Sequence, residues 1–260
     1  MDPVTRPGAE RATRWLLRGA PEQGAFLVFG FHYAGTGAAS SYRDWPDRLG
    51  DGVVCPVQPP GRESRSEEPP VRDVKQFGRD LADSIAPYLD RPYAFIGHCG
   101  AFPYMVETAF AAIEAGCPPP RRLFASSWGA PHKGLYGRLN FADLATLELD
   151  PEIDEVTTAR FGFVLPPDLK QVVADVLMLD LKLLRGYAYS GVPALPCPVE
   201  VISWSQDRIV PTEVVWPSGW DECAEATHHM LVGDHWEFLR APGFLTDLIA
   251  ELMGGKAGLP

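Results

Sequence analysis

The chain has 260 residues, 46% of them hydrophobic, which is enough for the core of one sizeable domain. Its net charge of −11, with no basic cluster longer than Arg121-Arg122, argues against nucleic acid as a partner. No apolar run approaches the roughly 20 residues that span a bilayer, and the N-terminus lacks the apolar stretch of a secretory signal, so neither membrane insertion nor export is expected.

In chain order, residues 1–23 read as a flexible leader and 24–252 as one domain. "AFLVFGF" (25–31) predicts a strand that runs into a Gly-rich loop, "HYAGTGAAS". "YRDWPDRL" then starts a helix, and "VVCPV" (53–57) gives a second strand. "QPPGRESRSEEPP" has no periodicity and reads as a surface loop. Apolar positions at Val71, Val74, Phe77, Leu81, Ile85 and Leu89 predict an amphipathic helix. "PYAFIG" is a third strand, "AFPYMVETAFAAIEAG" a helix closed by Gly116, and "RRLFASSW" a fourth strand. "PVEVISW" (198–204) and "ATHHMLVG" give two more strands, before a terminal helix in "DHWEFLRAPGFLTDLIAELM". This alternation predicts an α/β fold, a mostly parallel sheet covered by helices on both faces.

One segment breaks the rhythm. Residues 133–190 hold helical patterns and no convincing strand. Inserted between two strands, they would cap the strand ends where such sheets bind ligands. We therefore expect a lid over an apolar pocket, with Phe161, Phe163, Leu177 and Leu181 among its lining. A helical subdomain with only a packing role is the alternative.

The chemistry converges on "G-H-C-G-A", where a strand turns into a helix. Small residues at both ends, Gly97 and Ala101, suit a nucleophile elbow, in which the helix must pass close to the strand. A thiol at a helix N-terminus also sits at the positive end of the dipole. A buried, inert Cys99 on a tight turn is the competing reading. Two later strand ends favour catalysis. "SWSQDRIVP" places Asp207, and "GDHWEF" places His235, in the order nucleophile, acid, base. Cys99 would attack, His235 would take its proton and Asp207 would orient the imidazole. Asp234 is a rival acid. An oxyanion hole needs two N–H donors: Gly100 follows the nucleophile, and Ala34, with Gly35 second, lies in the loop after the first strand. The other cysteines (Cys55, Cys117, Cys197, Cys223) show no C-x-x-C spacing, and the histidines are scattered apart from His228 and His229. No disulfide scaffold or metal site is expected, and a reducing cytoplasm is.

Five stretches in order resemble the type II thioesterases of polyketide and nonribosomal peptide assembly lines. "FGFHYAGTGAASSYRDWP" resembles their "F-P-Y-A-G-G…W" opening, and "QPPGRESR" their "Q-x-P-G-R-E-x-R" loop. "FIGHCGAFPYMVETA" resembles the "G-H-S-M-G-A" elbow, "ALPCPVEVISWSQDRIVP" the segment carrying the acid, and "GDHWEFL" the "G-x-H-F-F-L" of the base. The resemblance implies an α/β-hydrolase fold with Cys99, Asp207 and His235 as the triad. It implies a substrate acyl group on the phosphopantetheine arm of an acyl or peptidyl carrier protein, and no cofactor of the enzyme's own. His32 stands where the family has Pro, Thr36 where it has Gly, Gly100 for Met, Ala101 for Gly, and Cys99 for Ser. Hydrolysis is the family's reaction; transfer or cyclisation, and a non-catalytic carrier-protein binder, are the alternatives. The carriers are acidic, so docking needs local positive charge; Arg62 and Arg65, or Lys133 and Arg138, are candidates to supply it, and a plain solvated surface is the alternative.

Overall fold

Val, Leu and Phe fill the short apolar runs of the sequence, and these become strands buried on both faces. The structure is a computed structural model that describes residues 14–21, 23–189 and 194–254. Its elements are β1 (Leu27–Phe31), α1 (Ala38–Tyr42), β2 (Arg48–Leu49), β3 (Gly52–Pro56), α2 (Val74–Ile85), β4 (Tyr93–His98), α3 (Phe102–Glu114), β5 (Arg122–Ser126), α4 (Asp150–Phe161), α5 (Pro167–Gly186), β6 (Val199–Trp204), α6 (Thr212–Val215), β7 (Ala226–Leu231) and α7 (Gly243–Gly254). The seven strands form one sheet in the order β2-β3-β1-β4-β5-β6-β7, parallel except for the β2–β3 pair. This is the α/β-hydrolase architecture expected from the sequence.

Alternation along the strands sends side chains to two cores. Phe29, Phe31 and Phe95 pack with Phe77, Leu81 and Tyr104 of α2 and α3. Val28, Ile96, Phe124 and Ile202 pack on the other face with Tyr42, Leu245 and Ile249. Full burial of each large side chain contributes roughly 1.5–3 kcal/mol. The register sets His98 opposite Ser126 and Ser126 opposite Ile202, so the central strands end nearly level. Residues just beyond those ends therefore open onto one edge. Over that edge lie α4 and α5, which form a small core of their own from Leu149, Ile153, Leu177 and Leu181.

Four local expectations change. "YRDWPDRL" is not a helix: α1 ends at Tyr42, and Arg48–Leu49 forms an antiparallel edge strand on Val53 and Gly52. Pro46 cannot donate to a continuing helix. The "QPPGRESRSEEPP" segment is not simply a surface loop. Gln58 and Arg62 are buried, and Glu63–Arg65 form a 3₁₀ turn. The terminal helix is broken. A 3₁₀ stretch, His235–Arg240, stops at Ala241 (φ 47°) before Pro242, and α7 follows. Residues 14–21 belong to the domain rather than to a leader, since Leu16 is buried and bridges Val57, and Trp15 packs edge-on against Phe77. The rest of the expected leader, apart from the described Gln23, lies outside the described residues.

Candidate active site

Cys99 follows β4 with φ 51°, in the left-handed region that a non-glycine residue adopts only at a cost. The 3₁₀ turn Cys99–Ala101 then leads into α3. Gly97 permits this turn: a Cβ there would lie 2.6 Å from Ala101 Cβ and 2.6 Å from Met105 Sδ. Gly100 has its own clearance requirement, because a Cβ would meet Leu184 Cδ1 of α5 at 2.8 Å. The same point is 3.8 Å from the Ala34 nitrogen, so the two residues expected to donate to an oxyanion are neighbours. The alternative donor is already committed. The Gly35 N–H donates to Asp180 Oδ2 at 2.8 Å.

Asp207 lies beyond β6 and is saturated. Its Oδ1 accepts from the N–H groups of Ile209 and Val210, both at 2.8 Å. Its Oδ2 accepts from Ser127 Oγ at 2.7 Å and lies 2.8 Å from His235 Nδ1. Burial disfavours its charge, but the His235 hydrogen bond and charge, Ser127 and the Val210 N–H outweigh that and hold its pKa at about 2. His235 responds in the opposite sense. Burial would lower its pKa, yet hydrogen bonds to Asp207 and Cys99 and their charges raise it to about 9. With Nδ1 donating to Asp207, Nε2 is the nitrogen left for Cys99. The rival acid is engaged elsewhere, because Asp234 accepts from Trp236 N at 2.9 Å and caps the 3₁₀ turn.

Behind the imidazole runs a buried polar belt that sequence reasoning missed. His98 stacks on Phe238, with centroids 4.8 Å apart, and lies 4.3 Å from the His235 ring. Its Nδ1 pairs with Ser126 Oγ at 2.9 Å, and the same oxygen accepts from Trp204 Nε1 at 3.0 Å. Burial, then the charge of His235, pulls the His98 pKa well down. A neutral imidazole thus backs the basic one. The signal in the sequence is faint: two serines closing an apolar strand.

Cys99 and His235 line a cavity of about 360 Å³ together with Ala34, and α4 and α5 form its other wall. Of the expected lining residues, Phe161, Leu177 and Leu181 are there. Phe163 is not. It is 54% exposed and stacks on the outside of Phe161, because the chain turns outward through Gly162 after α4 ends. The residues expected to supply docking charge are each engaged internally. Arg62 binds Asp180, Arg65 binds Glu68 and covers Trp15, Lys133 binds Glu222, and Arg138 binds Glu152 and Glu155. Among the described residues no cluster of His, Cys, Asp and Glu is arranged to hold a metal ion, and no helix is long and apolar enough to cross a membrane. All five cysteines are free thiols. Burial pushes the pKa of Cys55 and Cys197 up to about 12 and, with nearby Glu222 and Asp221, that of Cys223 up to about 11.

Comparison with known proteins adds a second kind of observation. The model of the thioesterase domain family matches residues 26–165. The chain is 33% identical over 232 residues to linear gramicidin dehydrogenase LgrE of Brevibacillus parabrevis, covering 86% of each protein. It is 27% identical to gramicidin S biosynthesis protein GrsT of Aneurinibacillus migulanus, over 86% of this chain and 88% of that one. Among solved structures, the RedJ thioesterase from the prodiginine biosynthetic pathway of Streptomyces coelicolor superposes with a TM-score of 0.73. That match has 29% identity over 96% of both chains.

Proposed function

This chain belongs to the thioesterase family, enzymes that act on acyl thioesters, and on that premise we propose that it cleaves acyl or peptidyl thioesters carried on the phosphopantetheine arm of a carrier protein. Cys99 is the nucleophile, His235 the base and Asp207 the residue that orients it. The observation that carries the reading is the hydrogen bond from His235 Nδ1 to Asp207, with His235 and Cys99 lining the same apolar cavity. Relatives named for gramicidin S and prodiginine biosynthesis support an assembly-line setting with a carrier protein as partner. The free thiols fit a reducing cytoplasm.

The steps follow from the groups in place. His235 Nε2 accepts the thiol proton, and the Cys99 sulfur attacks the thioester carbonyl. The N–H groups of Ala34 and Gly100 hold the resulting oxyanion. The C–S bond to the arm breaks, His235 returns its proton to the departing pantetheine sulfur, and the acyl group is left on Cys99. Water, deprotonated by His235, attacks the acyl carbon; the C–S bond to Cys99 breaks, the free acid leaves, and His235 returns the proton to the Cys99 sulfur. The helical insertion acts as a lid that keeps bulk water from the acyl chain.

The sulfur itself favours a second reading. Exchange of one thioester for another is nearly neutral in free energy, so acyl-Cys99 stays activated toward an amine, a thiol or a carbon nucleophile. Transfer or cyclisation is therefore the alternative outcome of the same intermediate. Intact mass spectrometry with an acyl-pantetheine thioester tests both. We expect an acyl adduct on the wild type, none on Cys99→Ala, and slow formation on His235→Ala. Added thiol or amine then partitions the adduct between exchange product and free acid. A protein that never acylates at Cys99 would instead be a carrier-protein binder.

A further inference from the structure

One charged group in the cavity has no hydrogen-bond partner among the described residues. Arg160 sits in the last turn of α4, with its side chain 5% exposed. Its Nε, Nη1 and Nη2 atoms are all buried and make no hydrogen bond. The nearest carboxylate oxygen, Asp44 Oδ2, is 3.6 Å away on a side chain that is 48% exposed, beyond hydrogen-bond reach. The guanidinium lies 5.4 Å from the centre of the Phe161 ring, and Arg43 approaches that ring at 5.7 Å. Local charge is thus in positive excess within an acidic protein. A guanidinium presents five donors in a fixed fork and does not lose its charge in proteins, so leaving all of them unmet in a buried place is costly.

The location gives this a meaning. Arg160 lines the same cavity as Cys99 and His235. The rest of that wall is mainly apolar, with Ile153, Val156, Leu165 and Val173 facing the space. The other charged wall residues are spoken for: Arg138 holds Glu152, and His235 holds Asp207. Among the described lining residues, Arg160 is the one charged group without a hydrogen bond.

We propose that Arg160 binds a carboxylate carried by the acyl chain, so that the preferred substrates are thioesters of acids bearing a second, ionised carboxyl group beyond an apolar stretch. The proposal rests on the thioesterase reading above and names the acyl class for the same site. An anionic oxygen could also come from the phosphate of the arm. The geometry favours the acyl chain. Tyr33, Arg160 and Cys99 line one cavity, so the guanidinium faces the space that an acyl group on Cys99 would enter. The arm's phosphate is separated from its sulfur by two amide-linked units, a longer reach. A carboxylate at the end of the acyl chain lies within that cavity, and its two oxygens match the fork.

Binding of unreactive amide analogues tests this without requiring turnover. Calorimetry on Cys99→Ala protein compares a pantetheine amide carrying an ω-carboxyacyl chain with one carrying a methyl-ended chain of equal length. We expect the carboxylate to bind at least about tenfold more tightly, as a charge-assisted bidentate contact does. Adding Arg160→Gln should bring the ratio to near one, and Arg160→Lys should leave an intermediate ratio. Because the ratio is taken within each variant, a general loss of folding cancels. A ratio near one with Arg160 in place, or a preference that survives Arg160→Gln, overturns the proposal. So does a preference for phosphopantetheine over pantetheine amides that Arg160→Gln removes, since that assigns Arg160 to the arm. If the carboxylate preference holds but no thioester acylates Cys99, the functional reading fails and the recognition stands.

Discussion

The floor and the roof of the cavity treat their buried polar atoms differently. On the floor, both oxygens of Asp207 are saturated by four donors. At the joint between floor and roof, Arg62 (3% exposed) grips both oxygens of Asp180 (1% exposed) at 2.7 and 2.8 Å and also donates to the Thr36 carbonyl. In the roof itself, Arg160 is buried to a similar degree, makes no hydrogen bond and meets only the half-exposed Asp44, at 3.6 Å. The floor is preorganised by the protein alone, as charge stabilisation in catalysis requires. The roof keeps polar capacity in reserve for a ligand.

The largest effect should come from the floor. Asp207→Asn removes the acceptor that fixes His235, and the rate of acyl-Cys99 formation should fall about 10³-fold or more in rapid-quench mass spectrometry. The same variant should lower the pKa of His235 from about 9 toward its ordinary value, read by NMR titration. The sign for stability follows. His235 has a raised folded pKa, so its contribution is full below about pH 6.5 and is lost as pH rises through about 9. Asp207 has a lowered folded pKa, so its contribution is present above about pH 4 and is lost as pH falls through about 2. Urea midpoints across these ranges should flatten in Asp207→Asn. Unchanged slopes would mean the pair is not coupled as described.

The joint comes next. Arg62→Ala or Asp180→Ala each strands a buried charge and should cost about 3–5 kcal/mol in urea unfolding. The double change Arg62→Met with Asp180→Leu should recover much of that loss. A small cost for the single variants would erase the contrast with Arg160. For the roof the expected sign reverses. Arg160→Met removes an unanswered charge and should raise stability by about 1 kcal/mol, as trading function for stability often does. Destabilisation there would mean that Asp44 holds the guanidinium after all. The smallest effect belongs to Gly100→Ala, whose new Cβ crowds only the flexible tip of Leu184 and otherwise reaches Ala34 at ordinary contact distance. Its unfolding free energy should drop by less than about 1 kcal/mol.

The floor is far more legible in sequence than the roof. Cys99 and Asp207 each follow an apolar strand and His235 follows the half-exposed edge strand β7; strand ends of a parallel sheet fall at one edge, so their meeting can be read from local pattern. Ser127, Ser126, His98 and Trp204 join them through contacts up to 80 residues apart in the chain, which leave no periodic trace. Arg62 misleads for a related reason. A segment rich in proline and charge looks solvated, and only the partner 118 residues later makes burial tolerable. Phe163 goes astray because a helical spacing does not announce where its helix ends; the left-handed Gly162 does that. The edge strand β2 has two residues, too few to carry a pattern.

A single oxygen, Asp180 Oδ2, ties α5 to the loop that runs beside Cys99. It holds the Gly35 N–H and Arg62 Nη1 at once, and Arg62 in turn holds the Thr36 carbonyl. Gly35 adjoins Ala34, whose N–H faces the reacting carbonyl in the proposed chemistry. In the proposed lid motion, lifting α5 to admit an acyl chain would therefore release the loop proposed to hold the oxyanion. The arrangement is an interlock: the door and the trigger share one latch, and the trigger is set only when the door is shut. An acyl group exposed by an opening is held in a site that has, for that moment, lost half its power to react with water. Hydrogen exchange at the Gly35 amide would count the openings.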